Sequence, residues 1–324
     1  MTATQPIRRV AVVGTGVIGA SWAALFLAKG LDVVATDPAP NAEAALRKFV
    51  QDAWPALERL GLAPGASQAK LTFTADLAQA LAGVDLVQEN GPERLDFKQK
   101  LYGDLDRLLP AEVIIASSSS GLPMSEIQKG AQLHPGRCVI GHPFNPPHVI
   151  PLVEIVGGAA TSEETVRRAE AFYTSIGKQT VRIHKELPGH VANRLQAAVM
   201  REAYYLVSEG VLSVADVDTA LSWGPGLRWG VMGAIMLNHL GGGPGGIEHF
   251  LAQFGGSMTA SWNALGTPDL TPEMQMKVID GVHAEAGSRT IEELEAERDE
   301  ILLGLIELRT RRHTQAAASA TAAA

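Results

Sequence analysis

The chain has 324 residues, 46% of them apolar and 19% charged, a balance that supports a substantial core and excludes a disordered or fibrous protein. Its 27 lysines and arginines against 35 acidic residues leave a net charge of −8, so it lacks the basic footprint that nucleic-acid phosphates require. The one cysteine, Cys138, excludes an intrachain disulfide framework and fits a reducing compartment.

In chain order, the first predicted element is a strand over Val10–Val13. It opens an uncharged run to Ala28 that follows Arg8 and Arg9 and imitates a signal peptide or a spanning helix. Three glycines at fixed offsets, and a split into β-branched VAVV and helix-like ASWAALFLA, favour strand–turn–helix instead. No other segment looks membrane-spanning, so a soluble, cytoplasmic protein is expected. Further strands are predicted over Asp32–Thr36, Val84–Gln88, Val113–Ser117, Cys138–Gly141, Leu152–Val156 and Thr180–Ile183, with amphipathic helices over Asn41–Leu60, Leu95–Leu108 and Ser162–Ile176 among them. Strands alternating with helices imply a mostly parallel sheet covered on both faces. After Pro188 the apolar spacing becomes helical over Val191–Glu209, Ser213–Trp223 and Thr290–Arg312, the last with acidic residues early and basic residues late, as the helix dipole favours. The expectation is an α/β Rossmann-type doubly wound sheet over residues 1–187, an all-α domain over 188–312 and a disordered tail over 313–324.

The first strand runs into Gly14-x-Gly16-x-x-Gly19 at the start of a helix. The first glycine allows a tight turn, the second lets the backbone approach a pyrophosphate at the helix N-terminus, and the third lets helix and strand pack closely. Asp37 ends the second strand, where an acidic side chain accepts hydrogen bonds from ribose hydroxyls and repels a 2′-phosphate. Pro38 rather than an arginine follows it, so NAD is expected over NADP. Val17, Ile18 and Ser118 are counted with the cofactor contacts.

Later strands end in ASSSSG (Ala116–Gly121) and GHPFNPP (Gly141–Pro147), with Glu154 on the strand after these. Ligands of open α/β sheets bind beyond the carboxyl ends of strands, which places Ser120 and His142 at the right edge. A histidine there can take a hydroxyl proton near neutral pH while a carboxylate orients it. The residues alone leave open a strand-end histidine held by loop prolines and a turn serine. The other histidines (His134, His148, His184, His239, His249 and His283) show no zinc-like spacing, so no metal is expected. GGGPGG (Gly241–Gly246) lacks a phosphate-loop lysine and reads as tight turns between helices.

The series GTGVIG, ENGPERLDFK, ASSSSGL, GHPFNPPHVIPLVEIV, PGHVANRL and DVDTAL resembles the L-3-hydroxyacyl-CoA dehydrogenase family over nearly the whole chain. The resemblance implies that His142 is the general base, that Glu154 pairs with it, and that Ser120 and Asn193 hydrogen-bond the substrate oxygen and the developing carbonyl. It implies that Asn145 shapes the same pocket and that Glu93 and Lys98 line the nicotinamide half of the cleft. The implied reaction is oxidation of a secondary alcohol β to a carboxyl or acyl group.

Within that family, the region between the second and third strands matters. Arg47, Lys48, Arg59 and Lys70 stand there against Glu43, Asp52 and Glu58, a poor match for polyanionic CoA. The chain looks closer to the branch acting on small free hydroxy acids, which includes the L-carnitine and L-gulonate dehydrogenases and lambda-crystallin. L-carnitine is the expected substrate, with L-gulonate, an L-3-hydroxyacyl-CoA or a non-catalytic crystallin-like role as alternatives. A quaternary ammonium is attracted to aromatic faces, so Phe144, Trp223, Trp229, Phe250 and Phe254 are candidates, each with a core or interface role as the alternative. Arg228 offers a planar fork for a carboxylate, or a surface ion pair. Two positions depart from the family pattern: His190, where an aromatic is expected, and Gly230. The expected partners are a small hydroxy acid and a second copy of the chain, with neither nucleic acid nor membrane.

Overall fold

A computed structural model describes residues 6–322, with side chains described for 6–312. The chain divides into two compact units, Met1–Arg194 and Leu195–Ala324.

The first unit is built on strands β1 (Arg9–Val13), β2 (Asp32–Thr36), β3 (Leu71–Phe73), β4 (Leu86–Glu89), β5 (Ile114–Ser117), β6 (Cys138–Pro143), β7 (Leu152–Gly157) and β8 (Gln179–Ile183). They form one sheet in the order β3-β2-β1-β4-β5-β6-β7-β8. Every pairing is parallel except β6 with β7. Helices α1 (Val17–Ala28), α2 (Ala42–Leu60), α3 (Leu77–Ala80), α4 (Leu95–Leu108), α5 (Met124–Ile127) and α6 (Glu163–Ser175) connect them. Val10, Ala11 and Val12 of β1 are fully buried, as a central parallel strand covered on both faces requires. The uncharged run to Ala28 has the same cause: from Gly19 to Ala28 every residue of α1 is buried, and a helix apolar all round is a core helix. Among the described residues no helix is long and apolar enough to cross a membrane. Helix α2 instead buries one stripe, Leu46, Val50, Ala53 and Leu57. Strand β3 was not expected, because three residues are too short to show an alternation. It is held by its pairing to β2.

Helix α7 (Ala192–Ser208) begins in the first unit and continues into the second. The second unit continues with α8 (Val214–Trp223), α9 (Pro225–Val231), α10 (Ala234–Gly241), α11 (Gly246–Ala264), α12 (Pro272–Ala286) and α13 (Ile291–Ala322). Ser213 and Thr271 cap α8 and α12 through their side chains, each satisfying an amide of the first turn. The glycine-rich stretch is a 3-10 turn between α10 and α11. Its packing is tight: a Cβ on Gly242 would lie 1.8 Å from the Gly246 carbonyl oxygen. The backbone of α13 stays helical through Ala322, where a disordered tail was expected from residue 313. The alanine-rich composition that shows no apolar periodicity is also the composition with the highest helix propensity. Residues 323–324 of that expected tail lie outside the described residues.

Candidate active site

The strand order reverses between β1 and β4, and the glycine turn sits at that switch point. Gly14 has φ +86°, and its N–H donates to the Thr36 carbonyl at 2.9 Å, tying the ends of β1 and β2 together. A Cβ at Gly14 would lie 2.8 Å from the Asn90 carbonyl oxygen, and one at Gly19 only 1.9 Å from that of Gly14. Gly16 differs: a Cβ there meets no protein atom within 4 Å, and no side chain caps the helix it opens. The protein demands glycine at 14 and 19 for its own packing. At 16 the open space over the uncapped amides of α1 fits a pyrophosphate. Val17 is exposed there, and Ile18 packs against the core.

Asp37 is knitted to the turn: its carboxylate accepts from the Thr15 N–H (2.8 Å), the Thr15 hydroxyl (3.2 Å) and the Ala39 N–H (2.9 Å). It lines an open cavity with Pro38, Asn41, Arg47 and Phe73. Arg47 is thus an arginine beside Asp37 that the sequence around Asp37 does not show. Its guanidinium is engaged by Glu43 at 2.7 Å, which offsets the charge a 2′-phosphate would seek.

Beyond β4 and β5, a buried network braces the cleft. Lys98 is 1% exposed and donates to both carboxylate oxygens of Glu89 at 2.8 and 2.9 Å and to the Gly91 carbonyl at 3.3 Å. Glu89, fully buried, also accepts from the Ser117 hydroxyl and the Gly91 N–H, both at 2.6 Å. Glu93 accepts from the Ser119 hydroxyl (2.6 Å) and from the N–H groups of Gly121 (2.7 Å) and Leu122 (3.2 Å). Partial burial pushes its carboxyl up, but these bonds and the nearby Lys98 outweigh that and hold it below the ordinary range. Glu93 and Lys98 therefore fix the loop that carries Ser120. The Ser118 hydroxyl donates to Asn90 and accepts from Trp22 and Gln88, so its hydrogen-bonding capacity is used within the protein.

The antiparallel register pairs His142 directly with Glu154, and both are buried. His142 Nδ1 lies 2.9 Å from Glu154 Oε2. An ionised carboxylate only accepts, so Nδ1 carries the proton and Nε2 presents a lone pair. The other carboxylate oxygen accepts from the Val191 and Ala192 N–H groups, both at 2.9 Å. Burial pushes the Glu154 carboxyl up, but the bonds from His142, Ala192 and Val191 outweigh it and keep the group below its usual pKa. The result is a base with a free lone pair and a fixed, charged orienting group.

Three residues of this region were not among the expected site residues: Glu89, Lys178 and His190, the last noted only as a departure. Lys178 donates to the Pro147 and Ile150 carbonyls and lies over the Trp22 ring at 5.1 Å, which pins the loop after His142. Burial, reinforced by Lys29, lowers its pKa to about 7. The His190 ring lies 4.9 Å from that of His142, and its Nε2–H donates to the Ser119 carbonyl at 2.9 Å. Ser120 and Asn193 are half-buried, and neither side chain forms a hydrogen bond among the described residues, which leaves both free to meet a ligand. Phe144 is half-buried and Asn145 exposed, both on the loop after β6. Arg228 and Trp229 are exposed on α9 of the second unit.

Residues 9–187 match the NAD-binding domain of 3-hydroxyacyl-CoA dehydrogenase, and residues 189–285 match its C-terminal domain. The chain is 50% identical over 297 residues to the L-carnitine dehydrogenase of Streptomyces griseus, covering 92% of this chain and 88% of that one. It is 48% identical over 302 residues to that of Bacillus cereus, covering 93% and 92%. Among solved structures, an NAD+-dependent dismutase, 5-formyl-3-hydroxy-2-methylpyridine 4-carboxylic acid 5-dehydrogenase, superposes with a TM-score of 0.80 at 33% identity, covering 94% of this chain and 99% of that one. The chain belongs to the 3-hydroxyacyl-CoA dehydrogenase family and is an NAD-dependent 3-hydroxy acid dehydrogenase.

Proposed function

We propose that this dehydrogenase oxidises the 3-hydroxyl of L-carnitine to 3-dehydrocarnitine. The observation that carries the reaction is the buried His142–Glu154 pair with its free imidazole lone pair. The chemistry that NAD would supply when bound is a hydride acceptor for the alcohol carbon. The protein's part is to hold the hydroxyl on His142 Nε2 and take its proton. Glu154 stabilises the imidazolium that results, because its charge is kept by the helix-terminal N–H groups of Val191 and Ala192. Ser120 and Asn193 donate to the oxygen as it becomes a carbonyl. Gly14, Gly16, Val17, Ile18, Gly19 and Asp37 hold the cofactor, with Glu93, Lys98 and Ser118 shaping its nicotinamide side.

A small free acid is favoured over a CoA ester by the state of α2. Arg47 pairs with Glu43 and Lys48 with Asp52, so these bases offer no uncompensated patch to a polyanion. The half identity to L-carnitine dehydrogenases supports carnitine in particular. In the first unit, Phe144 and Asn145 are the proposed substrate contacts; in the second, Arg228 makes no ion pair among the described residues and suits a carboxylate, and Trp229 suits an ammonium. The second unit also exposes Trp223 and Ile235 at 79% each and Trp262 at 62%. Apolar exposure on that scale marks an association surface, and a homodimer is the proposed state, to be read from a light-scattering mass.

NADH formation with L-carnitine, L-gulonate and an L-3-hydroxyacyl-CoA tests the substrate. Turnover led by either of the latter two would displace the carnitine reading. His142→Asn abolishes turnover with NAD affinity within about threefold of the parent. Parallel loss of both would remove His142 from the role of base.

A further inference from the structure

We infer that His190 is a positioning residue of the dehydrogenase site, whose Nε2–H clasps the Ser119 carbonyl and so sets the Ser120 hydroxyl against His142. The inference rests on the proposed roles of His142 and Ser120.

His190 occupies an unusual backbone position. Its φ is +49°, a conformation that β-carbon-bearing residues adopt only at some cost, and its N–H closes a turn onto the Leu187 carbonyl at 3.1 Å. The side chain is 3% exposed. A carbonyl only accepts, so the bond to Ser119 fixes the proton on Nε2 and leaves Nδ1 as an acceptor. That Nδ1 is buried and has no partner. An unsatisfied buried acceptor is destabilising, and a phenylalanine would not carry it. What the histidine supplies in return is the one thing phenylalanine lacks here, the Nε2–H donor.

The segment 190–192 thereby grips the site twice. His190 holds the Ser119 carbonyl from one side, while the Val191 and Ala192 N–H groups hold Glu154 from the other. The Ser119 hydroxyl is already held by Glu93, so both the side chain and the carbonyl of the residue before Ser120 are fixed. The groups facing His190 are His142, Glu154, Glu93 and the Ser119 carbonyl. Burial pushes the imidazole toward its neutral form, the Ser119 carbonyl and the two carboxylates act the other way, and His142 adds to the downward push. The balance is downward.

Two substitutions separate this role from a merely structural one. Glutamine can present an N–H near the place of Nε2 and does not titrate, whereas phenylalanine keeps the ring and loses the donor. For His190→Phe, kcat falls about 10- to 100-fold, in keeping with a displacement on the order of 1 Å at the reacting centre, and the KM for NAD holds within about twofold. His190→Gln restores kcat to within about fivefold of the parent and keeps the acid limb of the kcat/KM profile in place. Full activity in His190→Phe would overturn the proposal. So would loss of the acid limb in His190→Gln, since that would make His190 the titrating base, and so would a His190→Gln as slow as His190→Phe with NAD binding and thermal unfolding intact. His142→Asn is run in parallel: activity retained there refutes the base assignment itself, independently of what His190 variants do.

Discussion

Glu154→Gln isolates the orienting charge with almost no change of volume. The carboxylate serves three donors: His142 Nδ1–H on one oxygen, and the Val191 and Ala192 N–H groups on the other, all at 2.9 Å. Glutamine has one oxygen. With that oxygen on the two backbone N–H groups, its NH2 faces His142 Nδ1 and one bond to the ring must be rebuilt. With the amide reversed, two N–H donors face an NH2 and both bonds are lost. The first arrangement is preferred because it loses less. A hydrogen bond to a charged group contributes about 1.5–3 kcal/mol, so the variant is destabilised by about that much and still folds. The functional effect is larger. Nδ1 must now accept, so the proton moves to Nε2 and the lone pair that takes the substrate proton is gone. An imidazole base in the wrong tautomer loses on the order of 10⁴ in turnover, about 5 kcal/mol of barrier. The assay is kcat from NADH absorbance at saturating carnitine, beside NAD affinity by fluorescence and stability by urea unfolding. A kcat within tenfold of the parent would refute the tautomer argument.

The same variant carries a pH signature. The folded pKa of Glu154 lies below its ordinary value. Its contribution to stability is therefore complete above the unfolded carboxyl pKa of about 4.3 and is lost as pH falls through the folded value. The parent loses unfolding free energy more steeply below about pH 4.3 than Glu154→Gln; equal acid slopes would contradict this. Lys178 gives a dependence of the same sign in a higher pH window. Its folded pKa of about 7 lies below the unfolded lysine value, so the unfolded chain holds more protons and stability rises with pH from about 7 toward 10. Lys178→Met flattens that rise in the melting temperature, and an unchanged slope would remove Lys178 as its source. The glycine turn separates folding from binding. Gly19→Ala places a Cβ 1.9 Å from the Gly14 carbonyl oxygen, which costs about 1–3 kcal/mol of stability and weakens NAD. Gly16→Ala meets no protein atom, so it weakens NAD while the melting temperature stays within about 2 °C, the shift a ΔΔG below about 1 kcal/mol allows. Equal unfolding effects at the two glycines would defeat the distinction.

Much of this site was legible because two spacings have a geometric meaning. Gly14-x-Gly16-x-x-Gly19 after a β-branched run can hardly be other than a strand turning into a helix, and the structure places it at the switch point. The distance from His142 to Glu154 becomes meaningful only once β6 and β7 are seen to be antiparallel, when the two residues fall opposite one another. Strand and helix positions followed from burial on both faces of the sheet. Where periodicity was absent the reading failed, as in three-residue β3 and the alanine-rich end of α13.

Two of the residues that escaped, Lys178 and His190, share a physical property. Lys178 acts on the carbonyls of Pro147 and Ile150, and His190 on that of Ser119. Their partners are main-chain groups, which every residue possesses, so no residue type at the far end marks the contact. A side chain meant for a ligand or another side chain leaves a pairing of types in the sequence, as His142 and Glu154 do. One meant for a backbone atom leaves only its own identity, and that is informative only when it departs from expectation. His190 is such a case. The histidine was visible where an aromatic was expected, but its meaning depended on the Ser119 carbonyl 71 positions away in the chain. Positioning residues of this kind are therefore best sought among buried polar side chains that bind main-chain atoms of a loop already carrying a reactive group.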